Sequence, residues 1–130
     1  MRLKIITHER VVFDEDVDEI YTKTIDGEIG ILKNHVPLMT ALDIGVTKAV
    51  KDGNVKFFTT MGGVFQFKDE EALILTTTAE SGDEIDVTRA KEALTRAQAK
   101  LAEAEAEADA KRAEAAMARA MARLKATLNN

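Results

Sequence analysis

Cysteine and tryptophan are absent from this 130-residue chain, which has only one proline, one tyrosine, one serine and two histidines. Lack of cysteine excludes a disulfide framework, a thiol nucleophile and cysteine-ligated metal. The single serine, Ser81, lies in Glu-Ser-Gly-Asp and would need a histidine base from far along the chain to act as a nucleophile. There is neither a His-x-x-x-His pair nor a carboxylate-rich metal loop, so independent catalysis is rejected. Apolar runs last only a few residues, so direct membrane insertion as a helix is not expected. The opening stretch MRLKIITHERVVFDED has neither an apolar signal core nor an arginine-rich, acid-poor transit pattern. What is present is globular: 45% apolar and 32% charged residues, enough for one compact domain or a small domain with an appendage.

The net charge of −5 hides an asymmetry. Up to Ile85 there are sixteen acidic and nine basic residues; from Asp86 onward there are seven acidic and nine basic. The acidic first part argues against nucleic acid as a partner. The basic end of the second part suits an anionic ligand or an acidic protein surface.

All seven glycines and Pro37 precede Asp83. Short β-branched runs fill the same region: LKIIT, DEIYTKTI, ALDIGVTKAV, VKFFTTM, GVFQF and ALILTTT. Asp52-Gly53-Asn54 is a hairpin signal, because glycine accepts positive φ at little steric cost. Gly62-Gly63 marks another bend and Asp26-Gly27 a further turn. Many short strands with regular turn signals predict an antiparallel sandwich or barrel of roughly eight to ten strands, assigned to residues 1–84.

Beyond Gly82 there is neither glycine nor proline, and alanine, the best helix former, dominates up to Ala126. Asp86 is placed to cap the first helix through its carboxylate. Ala90, Leu94, Ala97, Leu101, Ala104 and Ala108 form one apolar stripe; Ala113, Met117, Ala120, Met121, Leu124 and Leu128 form a second. The step of five between the stripes breaks phase, which predicts an antiparallel helical hairpin over 85–130 turning near Asp109 to Arg112. No strong breaker lies there, so one continuous rod of roughly 60 Å fits the same residues. The stripes are mostly alanine, and each buried methyl-sized group contributes about 0.8 kcal/mol, so hairpin packing is weak. A tail that exchanges between hairpin and extended helix is one reading, and a permanent hairpin is the other.

The segment Asp26-GEIGILKNHVPLMTAL-Asp43 resembles the GEIGILPxHxPL hallmark of the epsilon subunit of F-type ATP synthases. Met61-GGVFQF-Lys68 is similar to that family's Gly-Gly strand pair, and Ala79-ESGDEIDVTRAKEALTRAQ-Ala99 to its junction between sandwich and helical tail. One departure is Lys33, where the family often has proline. The resemblance implies an N-terminal β-sandwich followed by a two-helix tail, matching the pattern read from the residues. It further implies a non-catalytic place in the rotating central stalk, coupling ion flow to ATP synthesis. Its partners would be the gamma subunit, the ring of c subunits and, for an extended inhibitory tail, the alpha and beta subunits of the catalytic head. Glu28 and His35 fall on the family positions that face the c ring; each also has a plain structural reading, as a turn carboxylate and as a loop histidine before Pro37. With no targeting pattern, the implied location is peripheral, on the cytoplasmic face of a bacterial membrane.

Ile85-Asp86-Val87-Thr88-Arg89-Ala90 matches the I(L)DxxRA motif through which some bacterial members of that family bind ATP as a regulatory ligand. No Walker-type phosphate loop is present. Arg89 and Arg96, seven residues apart, share a helix face at roughly 10.5 Å along the axis, a spacing that suits a polyanion. Arg119 and Arg123 form a comparable face on the second helix. Glu80 and Asp86 match family positions near the adenine and ribose, and Ala90 leaves room there. The residues alone also permit ion pairs of Arg89 with Asp86 or Arg96 with Glu92, of the exposed kind worth about 0–1 kcal/mol. A purely structural stalk subunit without nucleotide sensing is the alternative function. The sequence has no feature that decides whether magnesium takes part.

Overall fold

A computed structural model describes residues 1–127; Leu128, assigned above to the second apolar stripe, lies outside the described residues. Eight strands come first: β1 (Arg2–Ile6), β2 (Val11–Asp16), β3 (Glu19–Thr24), β4 (Gly27–Leu32), β5 (Leu38–Lys51), β6 (Asn54–Lys68), β7 (Glu71–Leu75) and β8 (Ala79–Ser81). A single 3-10 turn, Gly82–Glu84, leads into α1 (Val87–Glu103) and α2 (Glu107–Thr127). The sheet order is β2-β1-β7-β6-β5-β3-β4, with β8 also on β6.

Two long strands make the sandwich. β5 and β6 pair along almost their whole length but skip the Asp43 and Gly62 positions between Leu42↔Gly63 and Ile44↔Met61. Past this bend the far half of β6 pairs with β7, while its near half pairs with β8. Each long strand thus serves both layers. The β5–β6 connection is the expected Asp52-Gly53 turn, with φ of 50° and 79° and Lys51 facing Asn54, the geometry whose twist matches a hairpin.

The expected all-antiparallel arrangement fails at one place: β1 and β7 run parallel. The β1–β2 hairpin leaves one side of β1 open, and β7 returns there from β6. Leu3 and Ile5 of β1 sit opposite Ala72 and Ile74 of β7, and all four are buried. Satisfying the β1 edge and burying a matched inner row outweighs the slightly poorer geometry of parallel bonds.

Between the layers lie Leu3, Ile5, Phe13, Ile20, Ile31, Phe58, Phe65, Phe67 and Ile74. A chain of hydroxyls crosses one layer of this core: Thr47 Oγ1 is 2.8 Å from Thr22 Oγ1 and 3.2 Å from Thr60 Oγ1, and all three residues are fully buried. Thr47→Val keeps the shape but leaves two hydroxyls without their partner. We expect the denaturation midpoint to fall by the equivalent of roughly 1–2 kcal/mol with an unchanged denaturant slope.

The outer face of one layer carries an apolar row. Val11, Ile6, Leu75, Val64 and Ala41 are successive cross-strand partners from β2 to β5. Val11, Leu75 and Val64 are 57%, 47% and 41% exposed, so this row is open to solvent.

The tail is a hairpin, with α2 against α1 on one side and across β5 and β6 on the other. Its turn comes earlier than the phase break suggested. α1 ends at Glu103, Ala104 adopts an extended conformation (φ −68°, ψ 125°), and α2 begins at Glu107. The segment Asp109 to Arg112 is helical, pinned by Lys111–Glu107 and Arg112–Asp109 ion pairs within the first turns of α2. Glu107 and Asp109 at that helix start are favourably placed against its dipole, which sets the boundary where no glycine or proline does. Because α2 has two partners, the buried residues are Ala113, Ala120, Ala122 and Ala126, while Met121 of the expected stripe is 55% exposed. Ala104 becomes the α1 cap, and Ala108 lies exposed in α2.

Candidate functional site

Where β8, the 3-10 turn and both helices meet, there is a cleft of about 410 Å³. Glu80 of β8 forms its sandwich wall, and Glu84, Ile85 and Asp86 form the junction. From α1 come Arg89, Ala90, Ala93 and Arg96, and from α2 comes Arg123. Helical periodicity explains the α1 set. Arg89, Ala93 and Arg96 lie four and three apart on one face, with buried Ala90 beneath them, so small side chains form a floor between two arginines.

The carboxylates are already engaged. Asp86 caps α1, its Oδ1 accepting the Arg89 backbone N–H at 3.0 Å, as the sequence predicted. Arg123 Nε donates to Glu80 Oε1 at 2.8 Å, with the two side chains only 30% and 27% exposed. This pair ties α2 to the sandwich. Glu84 accepts from Arg10 Nη2 of the β1–β2 loop at 3.1 Å. The Arg89–Asp86 and Arg96–Glu92 side-chain pairs that spacing allowed do not form, and both guanidiniums are without an ion-pair partner among the described residues. Two unpaired guanidiniums lie beside a third, oriented one, and each planar fork can donate paired hydrogen bonds to an anion's oxygens. Among the described residues, no group of carboxylates and histidines is arranged to hold a metal ion.

Seven of the eight residues that the sequence assigns to nucleotide binding line this cleft: Glu80, Ile85, Asp86, Arg89, Ala90, Arg96 and Arg123. Arg119 does not. It faces a separate cleft near the hairpin tip, beside Lys100 and Arg112. A four-residue step moves it roughly 6 Å along α2, away from the junction. Glu84 and Ala93 went unnoticed in the sequence, although Ala93 follows the motif at helical spacing. Glu28 and His35 are not brought together. Glu28, on edge strand β4, faces a groove between β5 and α2 that also holds Lys23 and Lys125. His35 lies in the loop after β4 with its ring edge-on to Phe67 at 6.0 Å.

The chain is thus a two-part module, a β-sandwich bearing a helical hairpin with an arginine-lined cleft at the joint. Residues 1–82 match the profile of the ATP synthase delta/epsilon chain beta-sandwich domain, and residues 83–127 that of the delta/epsilon chain long alpha-helix domain. The ATP synthase epsilon chain of Pelotomaculum thermopropionicum is 47% identical over 125 residues, 96% of this chain and 93% of that one. That of Carboxydothermus hydrogenoformans is 44% identical over 102 residues, 78% of this chain and 76% of its own. One chain of a cryo-EM structure of Euglena gracilis mitochondrial ATP synthase (OSCP, F1 and c-ring) superposes with a TM-score of 0.83 at 26% identity, covering 97% of this chain and 79% of its own. The chain belongs to the ATP synthase delta/epsilon family, as an epsilon subunit.

Proposed function

We propose that this chain is a central-stalk subunit of a bacterial F-type ATP synthase whose tail senses ATP and restrains hydrolysis when ATP is scarce. The observation that carries the nucleotide reading is the junction cleft, which gathers arginines of α1 and α2 around a small-residue floor at the Ile85–Ala90 motif. A ligand shifts a conformational equilibrium only through unequal affinity for the two states. ATP bound by Arg89 and Arg96 on one helix and Arg123 on the other needs the hairpin, so it stabilises the folded tail. At about 100 times its dissociation constant the gain is roughly 2.7 kcal/mol, comparable with the weak packing of an alanine seam. Without ATP the tail extends into the catalytic head, where Arg119 and its basic neighbours meet the alpha and beta subunits.

The apolar row from Val11 to Ala41 is the surface proposed for the gamma subunit, since an exposed stripe of this kind on a small protein marks a partner. Glu28 and His35 are proposed to face the c ring. These contacts hold the chain peripherally on the cytoplasmic face of the membrane; no described helix is long and apolar enough to cross it.

A lock on the hairpin tests the mechanism. Lys48 and Lys125 line one groove between β5 and α2, and the chain has no cysteine of its own. Lys48→Cys/Lys125→Cys bridged by a short bis-maleimide, reconstituted with the other subunits, should keep ATP hydrolysis active at low ATP, whereas the unbridged complex slows. Equal hydrolysis rates in the two at low ATP would leave a stalk subunit without a switch.

A further inference from the structure

The cleft lining contains three arginines, Arg89, Arg96 and Arg123, and three carboxylates, Glu80, Glu84 and Asp86. Alone, that set carries no net charge, a poor receptor for a tetra-anion. Two carboxylates are held from within: Asp86 by the α1 amide and Glu80 by Arg123. Glu84 is held from outside, by Arg10, which does not line the cleft and lies 74 residues away in sequence.

Arg10 is presented by a closely tied turn. The Thr7 amide donates to the Arg10 carbonyl at 2.9 Å, and Thr7 Oγ1 accepts from the Glu9 and Arg10 amides at 3.2 Å each. The guanidinium therefore belongs to the sandwich and reaches across to the turn immediately before Ile85-Asp86. Its pair with Glu84 is about half exposed on both sides, so solvent screening leaves it little worth to folding. Its effect on a highly charged ligand is larger, because a Coulomb term scales with the product of charges.

We propose that Arg10 is a positioning residue of the nucleotide cleft: by holding and neutralising Glu84 it makes the site net positive and sets affinity according to the ligand's charge. The inference rests on the nucleotide reading above. No feature of the sequence marks Arg10, since its partner is brought to it only by the fold.

Titration calorimetry of the full chain with ATP, ADP and AMP tests it on Arg10→Ala, Glu84→Gln and the double variant. Arg10→Ala should weaken ATP roughly three- to tenfold, ADP less and AMP least, with the loss shrinking as salt rises from about 50 to about 500 mM. Adding Glu84→Gln to Arg10→Ala should return ATP affinity to near the wild-type value, and Glu84→Gln alone should bind ATP at least as tightly as wild type. A merely structural Arg10 would lower all three affinities equally, without rescue by Glu84→Gln, and that result overturns the proposal. Unchanged ATP affinity in Arg10→Ala, with wild-type binding intact, overturns it too and leaves the nucleotide reading standing. Failure of the wild-type chain to bind ATP would remove both together.

Discussion

Arg89→Ala is expected to weaken ATP binding by the isolated chain roughly 100-fold, since a guanidinium donating two charge-assisted hydrogen bonds supplies about 3 kcal/mol of binding. The fold should not notice. The Arg89 side chain is exposed and unpaired, while its backbone N–H, the group that Asp86 caps, survives the substitution. Circular dichroism and melting should stay within about 0.5 kcal/mol of wild type, the usual range for a surface change. Arg89→Lys should recover only part of the affinity, because an ammonium offers a point charge in place of a planar fork. Calorimetry showing the same dissociation constant for wild type and Arg89→Ala would end the claim that this cleft binds the nucleotide. Arg123→Ala is a different experiment. It also removes the α2–Glu80 tie, so it should loosen the hairpin even without ligand.

That contrast shows which features a linear sequence reveals. The Asp52-Gly53 turn, the Asp86 cap and the shared face of Arg89 and Arg96 depend on spacing within a few residues, and all were legible. The parallel β1–β7 pair was not, because it joins segments about seventy residues apart and replaces no local signal. The helix turn at Ala104 was also hidden. In an Ala-Glu-Lys-Arg tail every position favours helix almost equally, so small charge effects at the α2 start choose the boundary. Met121 looked like a core residue because periodicity assumes one buried face, whereas α2 packs on both α1 and the sheet. Arg119 and Arg123 were indistinguishable by spacing. Only the position of the joint, set by β8, separates a cleft residue from one near the hairpin tip.

Gly63→Ala is expected to have the largest effect on stability, from a site touching neither cleft nor tail. Gly63 has φ of 110°, a conformation that residues with a Cβ rarely adopt. A Cβ built there would lie 2.0 Å from the Leu75 carbonyl oxygen and 2.8 Å from the Thr76 Cα. Both are backbone atoms, so no rotamer change relieves the clash. Strain and overpacking together should cost roughly 3–5 kcal/mol, a large part of the stability of a small domain, and lower the melting temperature by on the order of 10–20 °C. The consequence reaches function because this bend lets β5 and β6 belong to both layers. On one side it sets Val64 beside Leu75 in the exposed apolar row; on the other it lays the near halves of β5 and β6 under α2. Below its lowered melting point the variant should therefore show faster amide exchange in α2 as well as weaker retention in the assembled complex. If exchange in α2 matches wild type while the sandwich is destabilised, the two surfaces do not share the bend as their common support.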